Sequence, residues 1–224
     1  MRDLLIDLGN SAVKWCLDGH YEQSPNHAFK LDLLPKAERI WASCVGDSSL
    51  LKDLNQAQFV VSQAQLGRFQ SAYAKPETLG VDRFLAMIGA LEQYPGEDLL
   101  IIDAGSALTF DVVLSTGEHQ GGLIMPGLSA LQHSFEKFAS GEKTFLLKPL
   151  TDNTGDAWAS GTSCMLIDTL RARVEQYLQT YPNLQILLTG GDAKLLALHL
   201  QQALVIKPHL VLEGLRIYAQ TQAD

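Results

Sequence analysis

Three cysteines in 224 residues, with no C-x-x-C pair, supply neither a disulfide framework nor a zinc ribbon. Cys16, Cys44 and Cys164 are scattered, as idle thiols in a reducing, cytoplasmic compartment would be. The six histidines form no H-x-x-x-H or H-E-x-x-H pair, which excludes the common zinc-hydrolase pattern. There is no G-x-S-x-G elbow and no Walker G-x-x-x-x-G-K-[ST] loop. No apolar run approaches membrane-spanning length, and the first residues lack a basic and then apolar leader, so neither a membrane span nor a signal peptide is expected. Basic residues are short as well: 17 Lys and Arg stand against 25 Asp and Glu, a net charge of −8 with no basic cluster. A nucleic-acid partner is therefore not expected. An anionic nucleotide is still allowed, because local dipoles and cations outweigh net charge.

What is present is an ordinary globular composition, 46% hydrophobic and 19% charged, enough for one large core or two small ones. Two stretches share a plan. Leu4-Leu-Ile-Asp-Leu-Gly and Leu100-Ile-Ile-Asp-Ala-Gly each read as a buried strand, an Asp, a Gly turn and a second strand. Each predicts a hairpin, over about 4–17 and 99–114, with Asp18-Gly19 as the tip of the first. Third strands are expected at Ala28–Leu31 and Gly122–Ile124. Helices are expected at Ser48–Gln56 behind Ser caps, Val81–Tyr94, Ser129–Ala139, from a Thr154 cap to Tyr181, Ala193–Gln201 and His209–Gln220. Further strands fall at Arg39–Val45, Gln58–Val61, Leu184–Leu188 and Ala203–Ile206, and Gly141–Gly155 reads as loop. The turn-rich Tyr94–Asp98 divides the chain, giving half-domains 1–96 and 97–224. The expected architecture is α/β, two related half-domains with a mixed sheet in each and a cleft between them.

Asp7-Leu8-Gly9-Asn10-Ser11-Ala12-Val13-Lys14 has the parts of a phosphate grip: a Gly for close approach, turn amides, hydroxyl and amide donors, and a Lys for charge. Asp7, ending a buried strand, suits Mg²⁺ held through its waters. The plainer reading is a turn whose Asp and Asn satisfy themselves. In Asp103-Ala-Gly-Ser106-Ala-Leu-Thr109-Phe-Asp111, Ser106 and Thr109 offer hydroxyls and Asp103 an oxygen ligand; Asp111 reads equally as a ligand or an exposed strand residue. Phe110 stands where the first hairpin has Lys14. Thr189-Gly-Gly-Asp192 is a strand-to-helix turn that fits a nucleotide or a simple Asp cap. In Gly80-Val81-Asp82-Arg83, Arg83 can grip a carboxylate and Asp82 can act as base; a capping Asp and a surface Arg are the alternative.

Taken together, these motifs resemble type III pantothenate kinase, in the acetate and sugar kinase/Hsc70/actin superfamily. The marks run the length of the chain: D-x-G-N-S-x-x-K-W at Asp7–Trp15, G-x-D-R at Gly80–Arg83, D-x-G-[TS]-A-x-T at Asp103–Thr109, G-G-x-I-x-P-G at Gly121–Gly127, T-x-x-A-x-x-x-G at Thr154–Gly161 and T-G-G-D at Thr189–Asp192. The resemblance implies an actin-like ATPase, ribonuclease H-like fold and transfer of phosphate from ATP to pantothenate, the first step of coenzyme A biosynthesis. It implies that Asp7 to Lys14 and Ser106 bind ATP, that Tyr73, Gly80, Val81, Asp82, Arg83 and Thr154 bind pantothenate, and that Asp82 accepts the proton. It also implies Mg²⁺, a monovalent cation (K⁺ or NH₄⁺) at Asp103, adenosine beside Thr189–Asp192, and a homodimer across which Thr154 reaches. Ser106 departs from the usual Thr but keeps the hydroxyl. Rival readings are another phosphotransferase or phosphohydrolase of the superfamily and a non-enzymatic, transcriptional accessory factor. Arg83 beside Asp82 favours an alcohol that carries a carboxylate over a neutral sugar.

Overall fold

Strand β1 (Asp3–Leu8) buries Leu4, Leu5, Ile6 and Leu8, so both of its faces are covered, as a central strand of a layered sheet requires. The computed structural model describes residues 2–138 and 143–222. β1 pairs antiparallel with β2 (Ala12–Leu17), which pairs antiparallel with β3 (His20–Pro25). On its other side β1 runs parallel to β4 (Arg39–Cys44), and β4 parallel to β5 (Ala57–Phe59), giving the order β3-β2-β1-β4-β5. A small hairpin follows, β6 (Gln65–Leu66) and β7 (Phe69–Gln70), then helix α1 (Val81–Gln93).

The second sheet repeats this order. It contains β8 (Leu99–Ala104), β9 (Ala107–Val113), β10 (His119–Pro126), β11 (Gln185–Thr189) and β12 (Leu204–Ile206), arranged β10-β9-β8-β11-β12. β11 lies parallel to both β8 and β12. Helices α2 (Leu128–His133), α3 (Thr154–Thr180), α4 (Ala193–Ala197) and α5 (Leu210–Thr221) complete the chain. The duplication that was faint residue by residue is complete in strand order. No described helix is long and apolar enough to cross a membrane.

The chain divides into two units. One contains Met1–Gly96, Val113–Gly121 and His209–Asp224; the other contains Glu97–Val112 and Gly122–Pro208. α5 and residues 113–121 thus group with the first unit.

Several elements differ from expectation. The third strand of the first sheet is β3, and residues 26–28 form a 3₁₀ turn in place of a strand at Ala28–Leu31. Only Ser24 of β3 is buried, so this edge strand carries no apolar alternation to betray it. Asp18-Gly19 therefore turns β2 into β3, and the tip of the first hairpin is residues 9–11. The expected helix at 48–56 shrinks to a 3₁₀ turn, Ser48–Leu51, capped by the Asp47 carboxylate on the Ser49 N–H. α3 is capped by Asn153, whose side chain accepts from the Asp156 N–H, and not by Thr154; it runs on through Gly161. α2 stops at His133; Ala139 and the start of the Gly141–Gly155 loop lie outside the described residues.

In the first unit, one sheet face buries Leu4, Ile6, Leu8, Val13, Trp15 and Leu17 under Phe29 and Leu51. The β1 and β2 partners Leu5–Cys16 and Asp7–Lys14 occupy the opposite face, the side on which α1 and α5 pack. These helices cross at paired glycines: a Cβ on Gly89 would meet the Gly214 nitrogen at 2.9 Å, and one on Gly214 would land on the Leu85 carbonyl. Gly214→Ala is expected to destabilise the protein by about 1–3 kcal/mol through overpacking; chemical denaturation checks this, and an unchanged midpoint would refute the close crossing. In the second unit, α3 packs Leu166, Ile167, Leu170 and Val174 over Leu100, Ile102, Phe110 and Val112.

Candidate active site

The first turn, residues 9–11, is held from both sides. The Gly9 N–H donates to the Ala12 carbonyl (3.0 Å), while the Asn26 side chain donates to the Gly9 carbonyl (3.0 Å). The Val45 and Gly46 N–H groups both donate to the Leu8 carbonyl, at 3.0 and 3.1 Å. Asn10 and Ser11 are left at the surface of a fixed loop. Asp7 sits just before this turn, 7% exposed, opposite Lys14 on β2 and Ser43 on β4. Its Oδ1 is buried with no hydrogen-bond partner among the described residues, and the Ser43 hydroxyl is equally unbonded. Burial pushes the Asp7 carboxyl up from 3.8 to about 6; Lys14 opposes the shift, the Asp82 charge adds to it, and Ser43, close although without a well-formed hydrogen bond, restrains it slightly.

Asp82 and Arg83 stand in the first turn of α1. The Asp82 Oδ1 accepts the Arg83 N–H at 2.8 Å, and a Cβ on Gly80 would lie 2.7 Å from that oxygen, so a larger residue there would push the carboxylate aside. Arg83 is not the surface residue of the alternative reading: it is 5% exposed. Its Nη1 donates to the Tyr73 hydroxyl at 3.0 Å, and its guanidinium lies 5.8 Å from the Tyr73 ring centre. The first unit thus collects two acids, Asp7 and Asp82, two cations, Lys14 and Arg83, and the Tyr73 hydroxyl bonded to Arg83.

In the second unit the turn is one residue shorter, Gly105-Ser106, and the Gly105 N–H donates to the Ala107 carbonyl at 2.9 Å. A two-residue connection makes β8 and β9 an antiparallel hairpin. Matching Ala107 to Ala12 makes Thr109, not Phe110, the counterpart of Lys14; Phe110 is fully buried in the core under α3. Strand alternation puts Asp103, Thr109 and Asp111 on the opposite face. Asp111 is 2% exposed, which removes the exposed-strand reading. Asp103 pairs in register with Thr189 of β11. The next residue, Gly190, has φ +92°, and a Cβ there would land on the Ala104 carbonyl and the Asp103 carboxylate. Asp192 makes no side-chain cap to α4; both its oxygens bind the Lys143 ammonium, at 2.6 and 2.7 Å. Thr154 is exposed at the start of α3.

Residues 38–176 match the sequence profile of the type III pantothenate kinase family. The chain belongs to that family. A type III pantothenate kinase from Janthinobacterium sp. (strain Marseille) is 32% identical, with 96% of each chain covered, and one from Colwellia psychrerythraea is 35% identical, with 86% of each covered. Among solved structures, a conserved protein of Campylobacter jejuni described as a Baf family transcriptional activator superposes with TM-score 0.64 at 24% identity, covering 98% of both chains. The activator of 2-hydroxyisocaproyl-CoA dehydratase from Clostridium difficile superposes with TM-score 0.58 at 11% identity, covering 100% of this chain and 96% of that one. These two similarities concern the fold alone.

Three residues of this type III pantothenate kinase family member escape sequence reasoning. Asn26 fastens the first turn from beyond β3, Ser43 reaches Asp7 through a strand pairing, and Lys143 neutralises Asp192 from a distant loop. None sits in a motif; only the folded register brings them in.

Proposed function

We propose that the chain transfers the γ-phosphoryl group of ATP to the primary hydroxyl of pantothenate in the cytoplasm, the first step of coenzyme A biosynthesis. The observation that carries this reading is the buried Arg83, tied to Tyr73 and adjacent to Asp82, in the same unit as Asp7 and Lys14. Asp7 to Lys14 and Ser106 bind ATP. Tyr73, Gly80, Val81 and Arg83 hold pantothenate, with Arg83 gripping its carboxylate far from the reacting end, so that remote binding energy orients the hydroxyl. Asp82 accepts the hydroxyl proton. Phosphoryl transfer has a loose transition state, so positioning and charge neutralisation dominate, and Lys14 absorbs charge on the phosphates.

The buried Asp7 oxygen without a partner suits Mg²⁺ taken with its waters, and the described residues offer no cluster of three ligands that would form a protein cage. When bound, Mg²⁺ neutralises charge on the phosphates. Asp103, beside the Ala104 carbonyl at Gly190, forms an oxygen-only donor set suited to K⁺ or NH₄⁺. Thr154 contacts pantothenate across a homodimer; its exposure at the head of α3, and Met165 exposed on the same helix, support that interface.

An ADP-release assay with ATP and Mg²⁺ is expected to show turnover that requires both pantothenate and K⁺. Absence of pantothenate-dependent ADP would overturn the kinase reading and favour the regulator suggested by the Campylobacter jejuni protein. Turnover indifferent to K⁺ would remove only the role of Asp103.

A further inference from the structure

His119 opens β10, far along the chain from the substrate motifs, and is 4% exposed. Its ring lies nearly parallel to Tyr73, with centres 6.0 Å apart and planes at 13°. It also lies roughly parallel to Phe69, at 6.2 Å and 28°. Phe69 meets Phe84 edge-on at 5.4 Å, and Phe84 is the residue after Arg83 on α1. Since Arg83 donates to the Tyr73 hydroxyl, the contacts close a circuit: Arg83, Tyr73, His119, Phe69, Phe84 and back to α1. All distances fall within the range in which aromatic pairs attract.

The backbone fixes His119 independently. Gly117, at φ +97°, comes so near Arg68 that a Cβ would land on the Arg68 carbonyl. The Gln70 N–H donates to the Gly117 carbonyl at 2.9 Å, and Gln70 bridges to Glu118. Arg68 in turn donates to the Leu91 carbonyl of α1. The turn between β9 and β10 is therefore stapled to the segment that leads into Tyr73.

We infer that His119 is a positioning residue for pantothenate recognition. Its flat ring sets the pitch of Tyr73, whose hydroxyl then restrains the Arg83 guanidinium before substrate arrives. An arginine free to rotate forfeits rotamer entropy on binding, and holding it in place avoids that loss. The inference rests on the reading of Arg83 as the carboxylate clamp. A planar ring matters here more than bulk, because only a ring can stack on Tyr73.

The test compares His119→Leu, which keeps apolar volume without a ring, with His119→Phe, which keeps the ring. His119→Leu is expected to raise the KM for pantothenate roughly 3–10-fold, as loss of an aromatic pair would, with kcat and the KM for ATP nearly unchanged. His119→Phe is expected to restore the pantothenate KM. In an Arg83→Ala background, His119→Leu should add no further increase. Three results would overturn the inference: a normal pantothenate KM in His119→Leu, a pantothenate KM in His119→Phe as high as in His119→Leu, or additive effects with Arg83→Ala. If Arg83→Ala itself leaves the pantothenate KM unchanged, the clamp reading fails; if Arg83→Ala raises it and His119→Leu does not, only the role of His119 fails.

Discussion

Asp82→Asn is expected to lower kcat by about 10²–10⁴-fold, the usual worth of a positioned general base, while ATP still binds. The substitution isolates the chemistry because Asn keeps the shape and an oxygen that can accept the Arg83 N–H, now bonded to Asp82 at 2.8 Å. The start of α1, Gly80 with its tight approach to residue 82, and the neighbouring Arg83 all persist. What disappears is the capacity to take a proton from the acceptor hydroxyl. It also removes a negative charge that raises the Asp7 carboxyl, so Asp7 should titrate lower in the variant. Steady-state kinetics with calorimetric ATP binding checks the expectation. Turnover near that of the unaltered protein would remove the base role from Asp82, and loss of ATP binding would make the residue structural.

Asp7→Asn is expected to do opposite things to stability and activity. The carboxyl is nearly buried, and its value of about 6 in the folded chain exceeds the ordinary 3.8. A raised carboxylate pKa means that the folded state holds the proton more tightly than the unfolded state, so stability falls as pH rises from about 4 to about 6 and stays low above that. The shift corresponds to roughly 3 kcal/mol of destabilisation near neutral pH. Asn carries no charge to desolvate, so the ligand-free variant should gain about 2–3 kcal/mol at pH 7–8, or roughly 5–10 °C in Tm. The gain should shrink as pH falls from about 6 and vanish below about pH 3, where the aspartate is protonated in both states. Activity should drop roughly 10²-fold or more if Asp7 holds a cation that stabilises the transferring phosphoryl group. Thermal unfolding over a pH series, with a parallel kinase assay, reads both. A variant no more stable than the parent at pH 8 would contradict the strain placed on Asp7.

The two hairpins were legible because β1 and β8 are unbroken apolar runs that end in Asp-x-Gly, a signal both strong and local. Helix α1 was legible for the same reason, with its apolar face continuous from Phe84 to Leu91. β3 was not, since a strand at a sheet edge with one buried residue has no pattern to read. The grouping of α5 with the first unit was illegible too: an amphipathic helix announces that it has a buried face, but not which sheet buries it. Within the candidate site, Asp82 and Arg83 stood out as a motif, yet the burial of Arg83 and its bond to Tyr73 depend on how the stretch 63–80, without apolar periodicity, is folded against the rest of the unit. That stretch is held by Gly117 and His119, more than 40 residues further on. A one-residue difference in turn length also misled the alignment of Lys14 with Phe110.

The return of α5 to the first unit has a consequence for the order of synthesis. On the ribosome the second unit has all its residues once Pro208 is made, whereas the first still lacks the helix that packs against α1 and covers Leu5 and Trp41. Domains commonly fold in the order in which they emerge. Here the half that emerges first is the half that finishes last, and until residues 210–221 arrive, the sheet face bearing Asp7 and Lys14 has only one of the two helices that cover it.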